Sequence, residues 1–126
     1  MKRLLASALA AAILATPVSA MMAPQYYQQA RDEAPDVIVI RITGVDAPAG
    51  AMGVCGVRGQ VTAVERGTAY RAGQEVRIPV HCASPQADLP AGGTLWTDMA
   101  ALRRAQTART FLRDGRPALD AFDILT

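Results

Sequence analysis

The stretch "CGVRGQVTAVERGTAYRAGQEVRIPVHC", Cys55 to Cys82, decides how this chain folds. In its first half Cys55, Val57, Gly59, Val61 and Ala63 fall on one face of a strand, and Arg58, Gln60, Thr62 and Arg66 on the other. Val64 breaks the alternation, while Gly56 and Gly59 leave room for a bend. In its second half Val76, Ile78, Val80 and Cys82 share a face opposite Glu75, Arg77, Pro79 and His81. Gly67 to Gly73 supplies the turn, so the whole reads as an antiparallel hairpin with an apolar inner and a polar outer face. A register in which paired residue numbers sum to 137 sets Val61 against Val76, Gly59 against Ile78, Val57 against Val80 and Cys55 against Cys82. On the outer face it sets Gln60 against Arg77 and Thr62 against Glu75.

Cys55 and Cys82 are the only two cysteines, and both point inward, so they are expected to form a disulfide. His81, the only histidine, precedes Cys82, but neighbours on a strand point to opposite faces, which argues against a direct imidazole–thiol pair. One histidine and two inward cysteines without clustered carboxylates do not make a zinc set, and no metal or other cofactor is expected. His81 is then expected to project from the polar face as a solvated side chain.

The N-terminus supports an oxidising compartment. Lys2 and Arg3 precede an apolar run, Leu4 to Ala15, and Val18-Ser19-Ala20 is a small-residue cleavage site, the pattern of a secretory signal peptide over residues 1–20. The run falls well short of the roughly 20 residues a membrane-crossing helix needs, so no membrane span is expected after cleavage. Residues 21–126 suit one small domain. The formal charge of +2 comes from Lys2 and Arg3, and the remaining arginines balance the 11 acidic residues. Such balance implies neither a nucleic acid nor an anionic membrane surface as partner. The expected location is the periplasm or the exterior.

Outside the hairpin, Pro24 to Glu33 reads as a short helix ended by Ala34-Pro35, and Asp36 to Val45 as a β-branched strand. Gly92 to Trp96 reads as a short strand, with Thr97 or Asp98 capping a helix from Met99 to Gly115. At 100° per residue, Ala101, Leu102, Ala105, Ala108 and Leu112 form its apolar stripe, with Arg103, Gln106, Thr107, Thr110 and Asp114 facing away. Arg116 to Leu125 closes the chain as a strand. Asp120 and Asp123 look like unpartnered strand-edge carboxylates.

The predicted order makes the chain mainly β with one or two helices, an α+β arrangement, and the bent second strand suggests a small barrel, closed or partly open. It looks like an OB-fold with the helix one strand late relative to the common order. The segment "GQVTAVERGTAYRAGQEVRIPVHC" is similar to the strand–turn–strand–cysteine pattern of netrin-like modules, the family that includes tissue inhibitors of metalloproteinases. It also resembles small secreted bacterial proteins of no assigned function. Zinc chelation by an N-terminal cysteine, which the inhibitor family implies, does not carry over, because the expected mature terminus is Met21.

No nucleophile elbow, P-loop, dinucleotide fingerprint or zinc-protease motif is present. The expectation is a non-catalytic binding module with an unknown protein or cell-envelope partner. The alternatives are an enzyme of unrecognised type and a glycan- or nucleic-acid-binding module. Arg58, Gln60, Arg77 and His81 are the candidate contact residues on the outer hairpin face, with Tyr70 and Trp96 as further candidates from the loops.

Overall fold

Pro24 presets the backbone for a first helical turn, and Ala34, constrained by Pro35, ends the segment, so helix α1 spans Pro24–Glu33 in the computed structural model, which describes residues 22–126. The signal-peptide reading therefore lies outside the described residues. None of the α1 side chains is buried, and polar contacts fasten the helix instead. The Arg31 guanidinium forks onto both carboxylate oxygens of Asp123 and lies 4.9 Å from the centre of the Phe111 ring. Carbonyls at a helix end lack intrahelical partners and attract cations. Here Arg66 Nη1 donates to the carbonyls of Arg31, Asp32 and Ala34, and Arg113 Nη2 to that of Glu33.

Strands β1 (Asp36–Asp46), β2 (Met52–Arg66) and β3 (Glu75–Ala83) follow as an antiparallel meander. A two-residue β4 (Thr97–Asp98) pairs parallel with the end of β3, and α2 (Met99–Arg104) leads into β5 (Thr107–Arg113) and β6 (Arg116–Ile124). β5 pairs with β1, giving one curled six-stranded sheet in the order β4-β3-β2-β1-β5-β6. The molecule is mainly β with two helices, an open, OB-like half-barrel. β3 and β6 approach across the opening without forming a ladder. Ile38, Ile40, Val57, Val61, Ile78, Leu102, Ala108 and Leu112 fill the concave interior. Among the described residues no helix is long and apolar enough to cross a membrane.

Cys55 and Cys82 are bonded, with Sγ atoms 2.04 Å and Cα atoms 5.8 Å apart, but the hairpin register differs from the expected one. Paired residues sum to 135, so Cys55 faces Val80, Cys82 faces Gly53 and the disulfide crosses the ladder diagonally. A two-residue slip keeps every side chain on its own face, so the apolar pattern cannot distinguish the two registers. The turn decides between them. Gly73 N–H donates to the Val61 carbonyl and Gln74 N–H to that of Arg71, closing the loop against Gln74 instead of Val76.

The helix expected from Met99 to Gly115 stops at Arg104, and its second half is strand β5. Asp98 caps α2 by accepting the Ala100 N–H at 3.1 Å. Ala108 and Leu112 are buried, and a spacing of four residues suits a helix stripe and a strand face equally. Thr110 settles the period: it is fully buried with them, where the helical reading turns it outward. Asp114 and Gly115, at φ 53° and 77°, form the two-residue turn between Arg113 and Arg116, with both central residues in the left-handed region that such a hairpin demands. Gly92 to Trp96 is not a strand, only Thr97 and Asp98 joining the sheet. Since β4 is so short, α2 follows the third long strand and is not displaced as the sequence order suggested.

Candidate functional site

The register places Arg58 directly opposite Arg77 on the outer hairpin face, flanked by Gln60 opposite Glu75 and Gly56 opposite Pro79. The Val61 N–H bonds to the Gln74 carbonyl at 2.8 Å, so by alternation the inward pairs Gly59–Val76, Val57–Ile78 and Cys55–Val80 are the hydrogen-bonded ones. The outer pairs are the non-hydrogen-bonded ones, whose side chains stand closest. Pro79, with no N–H to give, falls in that class. Arg58 and Arg77 are thus a tight cross-strand pair of like charges. The expected opposition of Gln60 to Arg77, and of Thr62 to Glu75, does not occur.

Asp46, at the end of β1, is the carboxylate between them. Its Oδ2 accepts from Arg58 Nε at 3.1 Å and lies 3.7 Å from Arg77 Nη2. The two guanidinia lie flat because glycines sit beneath them: a Cβ at Gly44 would run into Arg58, and one at Gly56 into Arg77. Farther along, Arg41 Nη2 donates to Gln60 Oε1 at 2.8 Å. A depression of about 380 Å³ runs along this face, lined by Thr43, Arg58, Gly59, Glu75, Val76 and Arg77. Both arginines remain more than half exposed, at 53% and 65% of the side chain.

His81 lies at the far end of the same face, opposite Val54, and is not a free solvated side chain. Its Nδ1 is 2.6 Å from Asp120 Oδ1, and its ring meets Trp96 edge-on at 5.6 Å between centroids. Asp120 Oδ2 accepts the Leu95 N–H at 3.0 Å. Asp120 and Asp123 therefore both have partners, His81 and Arg31 respectively, contrary to their reading as solvated edge carboxylates.

Tyr70 stands apart. It packs against the core cluster, and burial, then the charge of Asp36, raises its pKa above the usual tyrosine value. The structure thus brings Arg58, Gln60 and Arg77 together, sets His81 and Trp96 in a second cluster, and joins Tyr70 to neither. Asp46 and Asp120, which organise the two clusters, gave no local signal, because each reaches its partners from a different strand. Cys55 and Cys82 are consumed in the disulfide, and among the described residues no three His, Cys, Asp or Glu side chains cluster as a metal site. Comparison with known protein families, curated proteins and solved structures finds no match.

Proposed function

We propose that the protein is a non-catalytic binding module of the cell envelope, periplasmic or secreted, which engages a partner bearing exposed carboxylates through the outer face of β2 and β3. The observation that carries this reading is the Arg58–Arg77 pair. Like charges directly opposite on a sheet are destabilising, and here two guanidinia share one carboxylate oxygen. Stability alone gives no reason for the arrangement. Two planar forks side by side, only partly neutralised, match a second carboxylate supplied from outside. OB-like folds commonly bind on the face of their second and third strands. Arg58, Gln60, Glu75, Arg77 and Pro79 offer no aromatic platform there, which favours a protein or envelope component over stacked nucleotides. The envelope location rests on the disulfide together with the signal-peptide reading.

The test is affinity capture from envelope extract with the wild type, Arg58→Glu/Arg77→Glu, and the control Arg103→Glu/Arg104→Glu on α2. The wild type and the control retain the main partner, and the hairpin variant loses it while keeping its thermal transition. Retention by a folded hairpin variant contradicts the reading.

A further inference from the structure

Strand β6 breaks its pairing where it passes the barrel opening. Thr110 pairs with Phe122 but Leu112 with Pro117, so Phe111 alone spans the β6 residues 118–121. Leu119 and Asp120 take φ of 43° and 58°. This left-handed backbone costs residues other than glycine about 1–3 kcal/mol each and persists only where its surroundings enforce it. The bulge brings the Asp120 carboxylate to the edge of β3. There one oxygen holds His81 Nδ1 and the other accepts the Leu95 N–H.

Both Asp120 oxygens are thereby engaged, and the side chain is only 18% exposed. Asp120 orients the imidazole, its carboxylate accepting the Nδ1–H. The Trp96 edge contact restrains the ring further. Among the described residues His81 Nε2 makes no hydrogen bond and Arg116 no ion pair, although both side chains line the same cleft of about 350 Å³. Val54, Pro79 and Pro117 supply its apolar walls, Val54 being half exposed. The volume lies within the range of about 300–1,000 Å³ typical of small-molecule sites, which combine apolar walls with a few placed polar groups.

We propose that this cleft binds a small carboxylate with an apolar tail. Arg116 presents its planar fork to the carboxylate, and His81, held through Nδ1 by Asp120, turns its unpaired Nε2 toward it. The tail lies on Val54, Pro79 and Pro117. A monoanion fits better than inorganic phosphate, because Asp120 adds its own negative charge beside the site and the walls are apolar. This inference does not depend on the role assigned to Arg58 and Arg77.

The chain has one tryptophan and one histidine, so the Trp96 indole N–H and the His81 ring are unambiguous NMR reporters. The oxidised protein is titrated separately with hexanoate, hexanol and inorganic phosphate. Hexanoate shifts both signals saturably, and hexanol and phosphate do not. Arg116→Ala and His81→Phe, the latter followed through Trp96, each weaken hexanoate binding about tenfold or more, the loss of one charge-assisted hydrogen bond. Arg58→Glu/Arg77→Glu binds hexanoate as the wild type does. The proposal is overturned if hexanoate produces no saturable shift, if hexanol or phosphate binds equally well, if either cleft variant binds like the wild type, or if the hairpin variant loses the ligand.

Discussion

Arg58 and Arg77 face each other across the β2–β3 ladder and converge on one oxygen of Asp46, at 3.1 and 3.7 Å. The geometry follows from register, since a non-hydrogen-bonded pair brings side chains closest, and from Gly44 and Gly56, which leave space for the guanidinia to lie against the sheet. Asp46 offsets part of the repulsion and leaves one positive charge over.

Removing that carboxylate exposes the repulsion. Asp46→Asn is expected to lower stability by up to about 1 kcal/mol at low salt, the scale of partly exposed ion pairs, and by less at high salt as screening grows. Urea denaturation at two ionic strengths measures it. A salt-independent loss would mean that Asp46 acts through packing instead of charge.

Closing the 27-residue separation between Cys55 and Cys82 is worth about 3–4 kcal/mol by loop-closure entropy. The double variant Cys55→Ala/Cys82→Ala is expected to lose at least that much in denaturant unfolding, the emptied volume at two fully buried positions adding to it. An unchanged midpoint would contradict the role of the crosslink.

Thr110 is fully buried, and its Oγ1 donates to the Ala121 carbonyl at 3.1 Å. Thr110→Val keeps the shape but removes the donor, at an expected cost of about 1–3 kcal/mol. Were residues 107–113 helical with Thr110 outward, the same change would be nearly silent. Equilibrium unfolding of this variant therefore tests the assignment of β5.

That segment shows where the sequence was legible and where it was not. Period-two alternation correctly assigned Cys55, Val57, Ile78 and Cys82 to one face of the hairpin, and hence the disulfide. It was silent on a two-residue slip, which only the closure of the turn at Gln74 resolves. Ala108 and Leu112 satisfy both periodicities, and Gly115 after Asp114 suits a helix C-terminus as well as a hairpin turn, so this strand carries a helix-like sequence pattern. Arg58 and Arg77 were visible as outer-face residues. Their partner Asp46 and the His81 partner Asp120 were not, since β1 pairing delivers one and an irregular bulge in β6 the other.

Tyr70 makes the alkaline limb of stability informative. Burial, and secondarily Asp36, raises its pKa from the usual 10.0, so the unfolded chain ionises first as pH rises. Its contribution is fully present below the unfolded value and is lost as pH climbs through the higher folded one. Denaturation midpoints taken from about pH 8 to pH 11 are expected to fall more steeply in the wild type than in Tyr70→Phe. Parallel curves would show that Tyr70 does not couple to folding.

If the facing arginines are kept for binding and at a cost to stability, Arg58→Gln/Arg77→Gln tests both parts in one protein. Neutralising the pair removes a repulsion worth a few tenths to about 1 kcal/mol, set against the loss of the contacts with Asp46. The variant is therefore expected to unfold at the same or a slightly higher denaturant concentration than the wild type and to release the envelope partner that the wild type retains. A variant that is clearly less stable yet binds as well as the wild type would contradict the account, because the pair would then be a structural element and the binding surface would lie elsewhere.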